Sequence, residues 1–220
     1  MGAELIRRGA AASGGLWSAQ ALLDAPEAVV ETHRDFIRAG ARLIITNSYS
    51  SIPSYLAKGG IEDRYEELTA LAGQLARRAA GEMKENVRVA GSLPPLSESY
   101  RPDLVPDDQQ ARSIYEAMAV ALEPYVDIFV CETMSSIRES INACEAAKKA
   151  ALSRKIPVYV SWTLSEKPGT GLRSGETLRM AFEELAARGI DGFLCNCTAP
   201  EAIEAALIEL RGWTDKPIGG

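Results

Sequence analysis

Two cysteines stand two residues apart in the segment "DGFLCNCTAP", at the end of an apolar run. Strand residues alternate faces, so Cys195 and Cys197 point the same way if the strand continues through both, with Asn196 on the opposite face. Free cysteine is most often a small buried hydrophobe, and this interpretation suffices for Cys131, Cys144 and Cys195. Cys197 differs because it stands at the polar end of the run. A thiolate there can bind zinc, but a catalytic zinc needs about three protein ligands.

Other polar residues also follow apolar runs. Glu132 ends the run "VDIFVCE", where a carboxylate either binds a substrate ammonium in a pocket or forms an ordinary salt bridge at the rim. Asn47 follows "LIIT" and offers two donors and two acceptor sites, or serves as a turn residue. The single histidine, His33, lies in the middle of a helical stretch beside Arg34 and is predicted to lie on the surface.

The elements that position these residues alternate between short apolar runs and helical stretches. The run "ARLIITNSY" predicts a strand, and "PEAVVETHRDFIRAG" predicts a helix that begins near Pro26 and ends at Gly40. Repetition of this pattern gives five strands and the opening of a sixth at "KPIGG", each separated by a helix. Such an order predicts a parallel sheet, because a crossover helix is the connection that joins neighbouring parallel strands.

The parallel sheet can be an open doubly wound sheet or a (β/α)8 barrel. No GxGxxG follows the first strand, which disfavours the dinucleotide-binding fold. Polar residues instead follow strand after strand, at Asn47, Ser92, Glu132 and Cys197. A barrel gathers its site from several strand ends in this way, so the sequence favours the barrel.

Two loops have a distinctive composition. The stretch "PGTGLRSGE" lacks the Lys-Ser/Thr ending of a phosphate-binding loop, so it predicts a simple loop in which Ser174 caps the next helix. The Pro-rich stretch "PPLSESYRPDLVP" predicts a long loop in which Tyr100 and Arg101 either contact a ligand or pack against the protein.

The composition is that of a soluble globular protein of 220 residues, with 46% hydrophobic and 25% charged residues. A net charge of −6 without basic blocks predicts no nucleic-acid and no membrane partner, which leaves small molecules as the expected partners. Four cysteines without an apolar leader predict reduced thiols and a cytoplasmic location.

Several segments together resemble the zinc-dependent homocysteine S-methyltransferases, a family of (β/α)8 barrels. They occur in the expected order over most of the chain and are "MGAELIRRG", "LWSAQALLDAPEAVVETHRDFIRAGARLIITNSY", "AGSLPP", "CET" and "NCTAPEAI". The resemblance implies an enzyme that transfers a methyl group from a sulfonium or ammonium donor to the thiol of homocysteine, giving methionine. It also implies zinc held by three cysteine thiolates. Cys197 matches the first zinc ligand, Glu132 matches the anchor of the substrate amino group, and Asn47 lies in the matching strand of the substrate pocket.

The same resemblance places two zinc ligands in a "GGCCG" segment that these 220 residues do not contain. The terminal "DKPIGG" matches the start of the seventh strand, and "MGAEL" follows the family's first strand. We therefore expect residues 1–220 to form a single domain, an incomplete barrel of about strands 2–6 plus the start of 7, truncated at both ends.

Two alternatives to catalysis stay open. The open edges of an incomplete barrel invite pairing, so the chain can instead be a noncatalytic small-molecule-binding or scaffold protein, with a homo-oligomer as one way to cover the edges. A redox role for Cys195 and Cys197 is less favoured, because strand residues two apart are roughly 6.5–7 Å apart, at the limit of disulfide geometry.

Overall fold

The structure is a computed structural model that describes residues 1–10 and 15–220. These residues form two compact units. Unit 1 consists of Met1–Leu93 and Ala117–Phe129, and unit 2 consists of Pro94–Glu116 and Val130–Gly220.

Six strands form one sheet and are hydrogen-bonded to one another in the order of the sequence. The strands are β1 (Leu43–Ile45), β2 (Arg88–Leu93), β3 (Ile128–Met134), β4 (Val158–Trp162), β5 (Gly192–Cys195) and β6 (Ile218–Gly219). The pairs β1–β2, β4–β5 and β5–β6 are parallel, with Trp162 opposite Cys195 in the β4–β5 register. The predicted five strands and the opening of a sixth are confirmed.

Helices separate the strands, as the predicted βα alternation requires. In the described part of the chain the α-helices are α1 (Gly2–Arg7), α2 (Gln20–Asp24), α3 (Pro26–Arg38), α4 (Pro53–Leu56), α5 (Tyr65–Gly81), α6 (Asp108–Leu122), α7 (Ile137–Ala151), α8 (Leu178–Ala187) and α9 (Pro200–Arg211). None of the helices in residues 1–10 and 15–220 combines the length and the apolar character needed to cross a bilayer.

The structure decides two predicted helix caps. The stretch "DDQQARSIYEAMAVALEPY" predicts a helix capped by Asp107 or Asp108. Asp107 caps α6, since its carboxylate accepts a hydrogen bond of 2.9 Å from the backbone N–H of Gln110. The prediction that Ser174 caps α8 is wrong. Thr177, which directly precedes the helix in an extended conformation, accepts the bond from the N–H of Met180, and Ser174 donates to Glu176 instead.

The core of unit 1 is formed by apolar side chains from its N-terminal segment and from α2, α3, α4 and α5. Its buried members are Leu5, Ala19, Ala21, Leu22, Val29, Val30, Leu56, Leu68, Ala72, Leu75 and Ala79. Spacings of three and four residues in α5 place Leu68, Ala72, Leu75 and Ala79 on one face, so the helix is amphipathic.

His33 belongs to the buried face of α3, and the prediction that it lies on the surface is wrong. The side chain is 1% exposed. It stands one turn after Val29 and one turn before Ile37, which are both buried, and it therefore shares their direction. Burial lowers the pKa of the His33 ring to about 4, and the charge of the amino terminus acts in the same direction. Its Nε2 atom has no hydrogen-bond partner within the described residues.

The core of unit 2 is built around aromatic side chains of β4, β5 and α8. Trp162 stacks on Phe193 with ring centroids 5.9 Å apart, and Phe182 meets Phe193 edge-on at 4.9 Å. The indole N–H of Trp162 donates a 3.1 Å hydrogen bond to the hydroxyl of Ser140, so its polar atom is satisfied although the ring is buried. This core fixes the ends of β4 and β5, where the candidate site lies.

Candidate active site

Cys197 lies just beyond the end of β5 and is the exposed member of the four free cysteines. Because β5 ends at Cys195, the alternation of strand side chains does not extend to Cys197. Its backbone instead adopts a left-handed conformation with φ of 54°. The two cysteines consequently differ in environment, with Cys195 1% exposed and Cys197 open to solvent.

The three other cysteines are buried, as predicted for structural thiols. Burial raises the pKa of the Cys195 thiol to about 12. Burial also raises the pKa of Cys131, and a hydrogen bond with Cys144 adds to the effect. Since the thiolate is the nucleophile and the metal ligand, the raised pKa values keep Cys131 and Cys195 inert at neutral pH. Of the four thiols, Cys197 is the one placed to react.

Glu132 lies near the end of β3, which is otherwise buried along its length. It is the one residue of the strand that is partly exposed, since the other six are buried. The next residue, Thr133, has a left-handed backbone with φ of 62°. Such a conformation costs a residue other than glycine about 1–3 kcal/mol and recurs at functional sites. Glu132 therefore directly precedes a residue with a left-handed backbone, and Cys197 itself has one.

The side chain of Asn196 connects these two strand ends. Its Oδ1 accepts hydrogen bonds from the backbone N–H of Thr133 at 3.0 Å and from the hydroxyl of Ser161 at 2.7 Å. Its Nδ2 donates to the Thr133 hydroxyl at 2.8 Å and to the sulfur of Cys197 at 3.2 Å. Both acceptor positions and both donor hydrogens of the amide are thus in use. The sequence gives no signal for this network, because the partners of Asn196 are 35 and 63 residues away.

Arg173 joins the two unusual loops beside the same strand ends. Its guanidinium lies 4.7 Å from the ring centroid of Tyr100 in the Pro-rich loop, and its Nε donates to the hydroxyl of Thr163 at 3.1 Å. That hydroxyl donates in turn to the backbone carbonyl of Cys197 at 3.3 Å. The arginine also forms an ion pair with Glu166, which lowers the pKa of that carboxyl. Arg173 therefore connects the Pro-rich loop, through Thr163, to the backbone of Cys197.

Asn47, the third predicted site residue, lies in unit 1 and is 3% exposed. Its Nδ2 donates a 3.0 Å hydrogen bond to the carbonyl of Ser18. The neighbouring hydroxyls of Ser18 and Ser50 are 3.1 Å apart. At least one N–H of the Asn47 amide is thus used to hold the N-terminal segment. This is a structural role, separate from any contact with substrate.

A separate cavity of about 240 Å³ lies in unit 2 between the loop after β4, the start of α8, and α9. Lys167, Arg179 and Glu209 are the charged residues among those that line it, and none of the three predicted site residues does so. Its volume is below the roughly 300–1,000 Å³ of typical ligand pockets. The candidate site is therefore defined by the strand ends rather than by this cavity.

The donor atoms at the strand ends fit part of a zinc site. Cys197 offers an exposed sulfur that accepts a hydrogen bond from the amide of Asn196. No group of three His, Cys, Asp or Glu side chains within residues 1–10 and 15–220 is arranged to hold a metal ion. These residues supply one ligand where a catalytic zinc uses about three, so they do not form a complete zinc site.

The sequence of this chain is similar to those of known methyltransferases. The family described as homocysteine S-methyltransferase matches residues 1–219. The chain belongs to the homocysteine S-methyltransferase family. It is a homocysteine methyltransferase-like enzyme, and it is 30% identical to the homocysteine S-methyltransferase of Escherichia coli strain K12 over 99% of this chain and 74% of that protein. It is also 28% identical to the selenocysteine Se-methyltransferase of Brassica oleracea var. italica, over 98% of this chain and 68% of that protein.

Solved structures agree with the family assignment. The metallated form of the Escherichia coli homocysteine methyltransferase MmuM superposes with a TM-score of 0.83 at 29% identity, covering 99% of this chain and 79% of that chain. The TM-score against the apo form of MmuM is 0.74. Together with the parallel strands in sequence order, this likeness confirms the predicted fold class, a TIM-type (β/α)8 barrel that is incomplete over these residues.

Proposed function

We propose that this protein transfers a methyl group from a sulfonium or ammonium donor to the thiol of homocysteine and thereby forms methionine. The observation that carries the proposal is the single exposed thiol of Cys197, held at a strand end by the amide of Asn196 in a chain of this family. The thiol of homocysteine resembles that of cysteine, so only a few per cent of it is thiolate at neutral pH. The reaction therefore needs a means of activating the substrate sulfur.

Zinc is the proposed activator, since a zinc-bound thiol loses its proton while the sulfur stays nucleophilic. Cys197 is the residue of this chain that fits as a ligand. The buried thiols of Cys131 and Cys195 do not fit, because their raised pKa values oppose the loss of a proton that metal binding requires. Any further ligands come from outside the described residues or from solvent and substrate.

The remaining site residues are proposed to bind the amino-acid part of homocysteine. Glu132, as the one solvent-reaching residue of β3, binds the substrate ammonium by charge pairing. Asn47 contributes to the substrate pocket through the hydrogen-bonding positions of its amide other than the N–H that bonds to Ser18. Homocysteine and the methyl donor are the proposed partners, with no nucleic acid or membrane involved.

We further propose that residues 1–220 act as one domain in the cytoplasm, with a homo-oligomer as one way to cover the sheet edges. Strand β3 and helix α6 each contribute residues to both units, which supports a single domain. Four free cysteines suit a reducing compartment.

The decisive experiment measures methionine by mass spectrometry after incubation of the chain with homocysteine, S-methylmethionine and added zinc. We expect methionine to form only with zinc, and Cys197→Ser to lower the rate by about 100-fold or more, because a direct ligand is lost. The matched control is Cys144→Ser, which removes a buried thiol in α7 and should leave most of the activity.

Three results would contradict the proposal: methionine formed without zinc, full activity in Cys197→Ser, or no methionine from the zinc-supplied chain. In the last case, calorimetric titration with homocysteine distinguishes the second candidate function. The incomplete ligand set favours that candidate, a protein that binds the small molecule without turning it over. Homocysteine binding that is weakened by Glu132→Gln would then support it.

A further inference from the structure

We propose that Asn196 is a positioning residue that orients the sulfur of Cys197 and ties it to the strand end that carries Glu132. This inference rests on the proposed role of Cys197 and adds a residue that acts through it. The proposal is based on one contact set in unit 2. The Asn196 amide donates to the side chains of Thr133 and Cys197, and both of these residues have a left-handed backbone conformation.

The amide can perform this role because its orientation is determined. Reversing it would place the Nδ2 group against the backbone N–H of Thr133, a donor facing a donor. The observed orientation satisfies all four hydrogen-bonding positions of the side chain. The Nδ2–H group that faces the Cys197 sulfur is therefore fixed by partners 35 and 63 residues away in the sequence.

The consequence for Cys197 is geometric. The N–H donor of Asn196 holds the sulfur and restricts the rotation of the side chain. The backbone of the same residue is held separately, through the bond from the Thr163 hydroxyl to its carbonyl. The sulfur is thus presented in one direction by contacts that involve both its side chain and its main chain.

The second consequence concerns the distance between the two binding groups for the substrate. Asn196 bonds to both the N–H and the hydroxyl of Thr133, the residue that follows Glu132. If Glu132 binds the ammonium and Cys197 lies beside the reacting sulfur, Asn196 helps to set the separation between the two ends of the amino thiol. Substrates with a longer or shorter chain between nitrogen and sulfur would then fit less well.

The test is the rate at which iodoacetamide alkylates Cys197 near neutral pH, followed by mass spectrometry of the peptide. It uses the full chain without zinc, homocysteine or methyl donor, so its outcome is separate from that of the methyl-transfer assay. The other three cysteines are buried and do not compete while the protein is folded. We expect Asn196→Asp to lower the rate by about fivefold or more, because it keeps both acceptor bonds while replacing the donor at the sulfur with negative charge.

Two controls separate positioning from general effects. Ser161→Ala removes one bond to Oδ1 without touching the sulfur, and should change the rate by less than about twofold. Asn86→Asp introduces the same charge at an exposed position in unit 1 and should leave the rate unchanged. Circular dichroism and the melting temperature establish that each variant is folded.

Equal alkylation rates in the parent protein and a folded Asn196→Asp would overturn the inference, as would an equal loss of rate in Ser161→Ala. If Asn196→Asp does not fold, Thr133→Val replaces it. This variant removes the hydroxyl that receives the second Nδ2 hydrogen and should also slow alkylation, and an unchanged rate would be equally decisive against the role of Asn196.

Discussion

At the scale of single residues, His33 makes the stability of unit 1 depend on pH. In the unfolded chain the ring takes up a proton near its ordinary pKa of 6.5, whereas the buried ring resists protonation until about pH 4. The unfolded state therefore binds more protons within this window, and the contribution of His33 to stability is lost as the pH falls through it. We expect the free energy of unfolding to decrease by about 2 kcal/mol from this residue between about pH 7 and about pH 5.

The variant His33→Gln tests this expectation by urea unfolding at both pH values. The variant cannot titrate at this position, so its free energy of unfolding should change less with pH than that of the parent protein. Other titrating groups affect both proteins alike and cancel in the difference. An identical pH dependence in the two proteins would show that the burial of the ring has no such effect.

Residues also show where sequence analysis reaches its limit. The burial of His33 was available from the sequence, because Val29, His33 and Ile37 are spaced four residues apart on one face of a helix. The role of Asn196 was not available, because its partners Thr133 and Ser161 become its neighbours only through strand pairing. The polar end of the run already set Cys197 apart from the buried cysteines, but its left-handed backbone was not predictable, since it depends on where β5 ends.

At the scale of elements, α5 passes close to the single-turn 3-10 helix Glu123–Tyr125 at a glycine. A Cβ atom on Gly73 would lie 2.8 Å from the ring of Tyr125. Tyr125 cannot easily move, because its hydroxyl accepts a bond from Gln74 and its carbonyl accepts one from Arg77. We expect Gly73→Ala to lower the free energy of unfolding by about 1–3 kcal/mol despite the higher helix propensity of alanine.

Gly81, at the end of the same helix, is the matched control. A Cβ atom there would meet no other atom within 4 Å. Gly81→Ala should therefore leave the stability unchanged or raise it by up to about 1 kcal/mol. Denaturant titration of both variants measures the difference, and equal effects at the two positions would mean that the close approach of Tyr125 does not matter.

Elements were the part of the structure that sequence patterns predicted best. Short apolar runs bounded by polar residues located the strands, and Asp107 was one of the two residues predicted as the cap of α6. The cap of α8 was missed because Ser174 and Thr177 both precede the helix, and only the backbone conformation decides which of them bonds to it. Local sequence patterns thus predict the presence of a helix or strand better than they predict the residue at which it begins or ends.

At the scale of the whole molecule, the ligand count predicts weak metal binding. All four cysteines are described by the structure, and one of them is exposed. A single thiolate provides much less binding free energy than the complete set of a zinc site. We expect the chain to bind zinc with a Kd weaker than about 1 µM, measured by competition with a fluorescent chelator.

Variants of the same chain define the control for this measurement. Cys197→Ser should weaken zinc binding further, whereas Cys144→Ser should not. Nanomolar binding of one zinc per chain would contradict the expectation and would require ligands that the described geometry does not bring together. The methyl-transfer assay must accordingly be supplied with free zinc rather than rely on metal retained through purification.

The stack of Trp162 on Phe193 has an optical consequence. An indole that is fully screened from water emits at shorter wavelength than one that is hydrated. Trp162 is 0% exposed, whereas Trp17 is 39% exposed and Trp213 is partly exposed. The blue component of the intrinsic fluorescence therefore originates beside the end of β5. Its loss on denaturation reports directly on the region that presents Cys197.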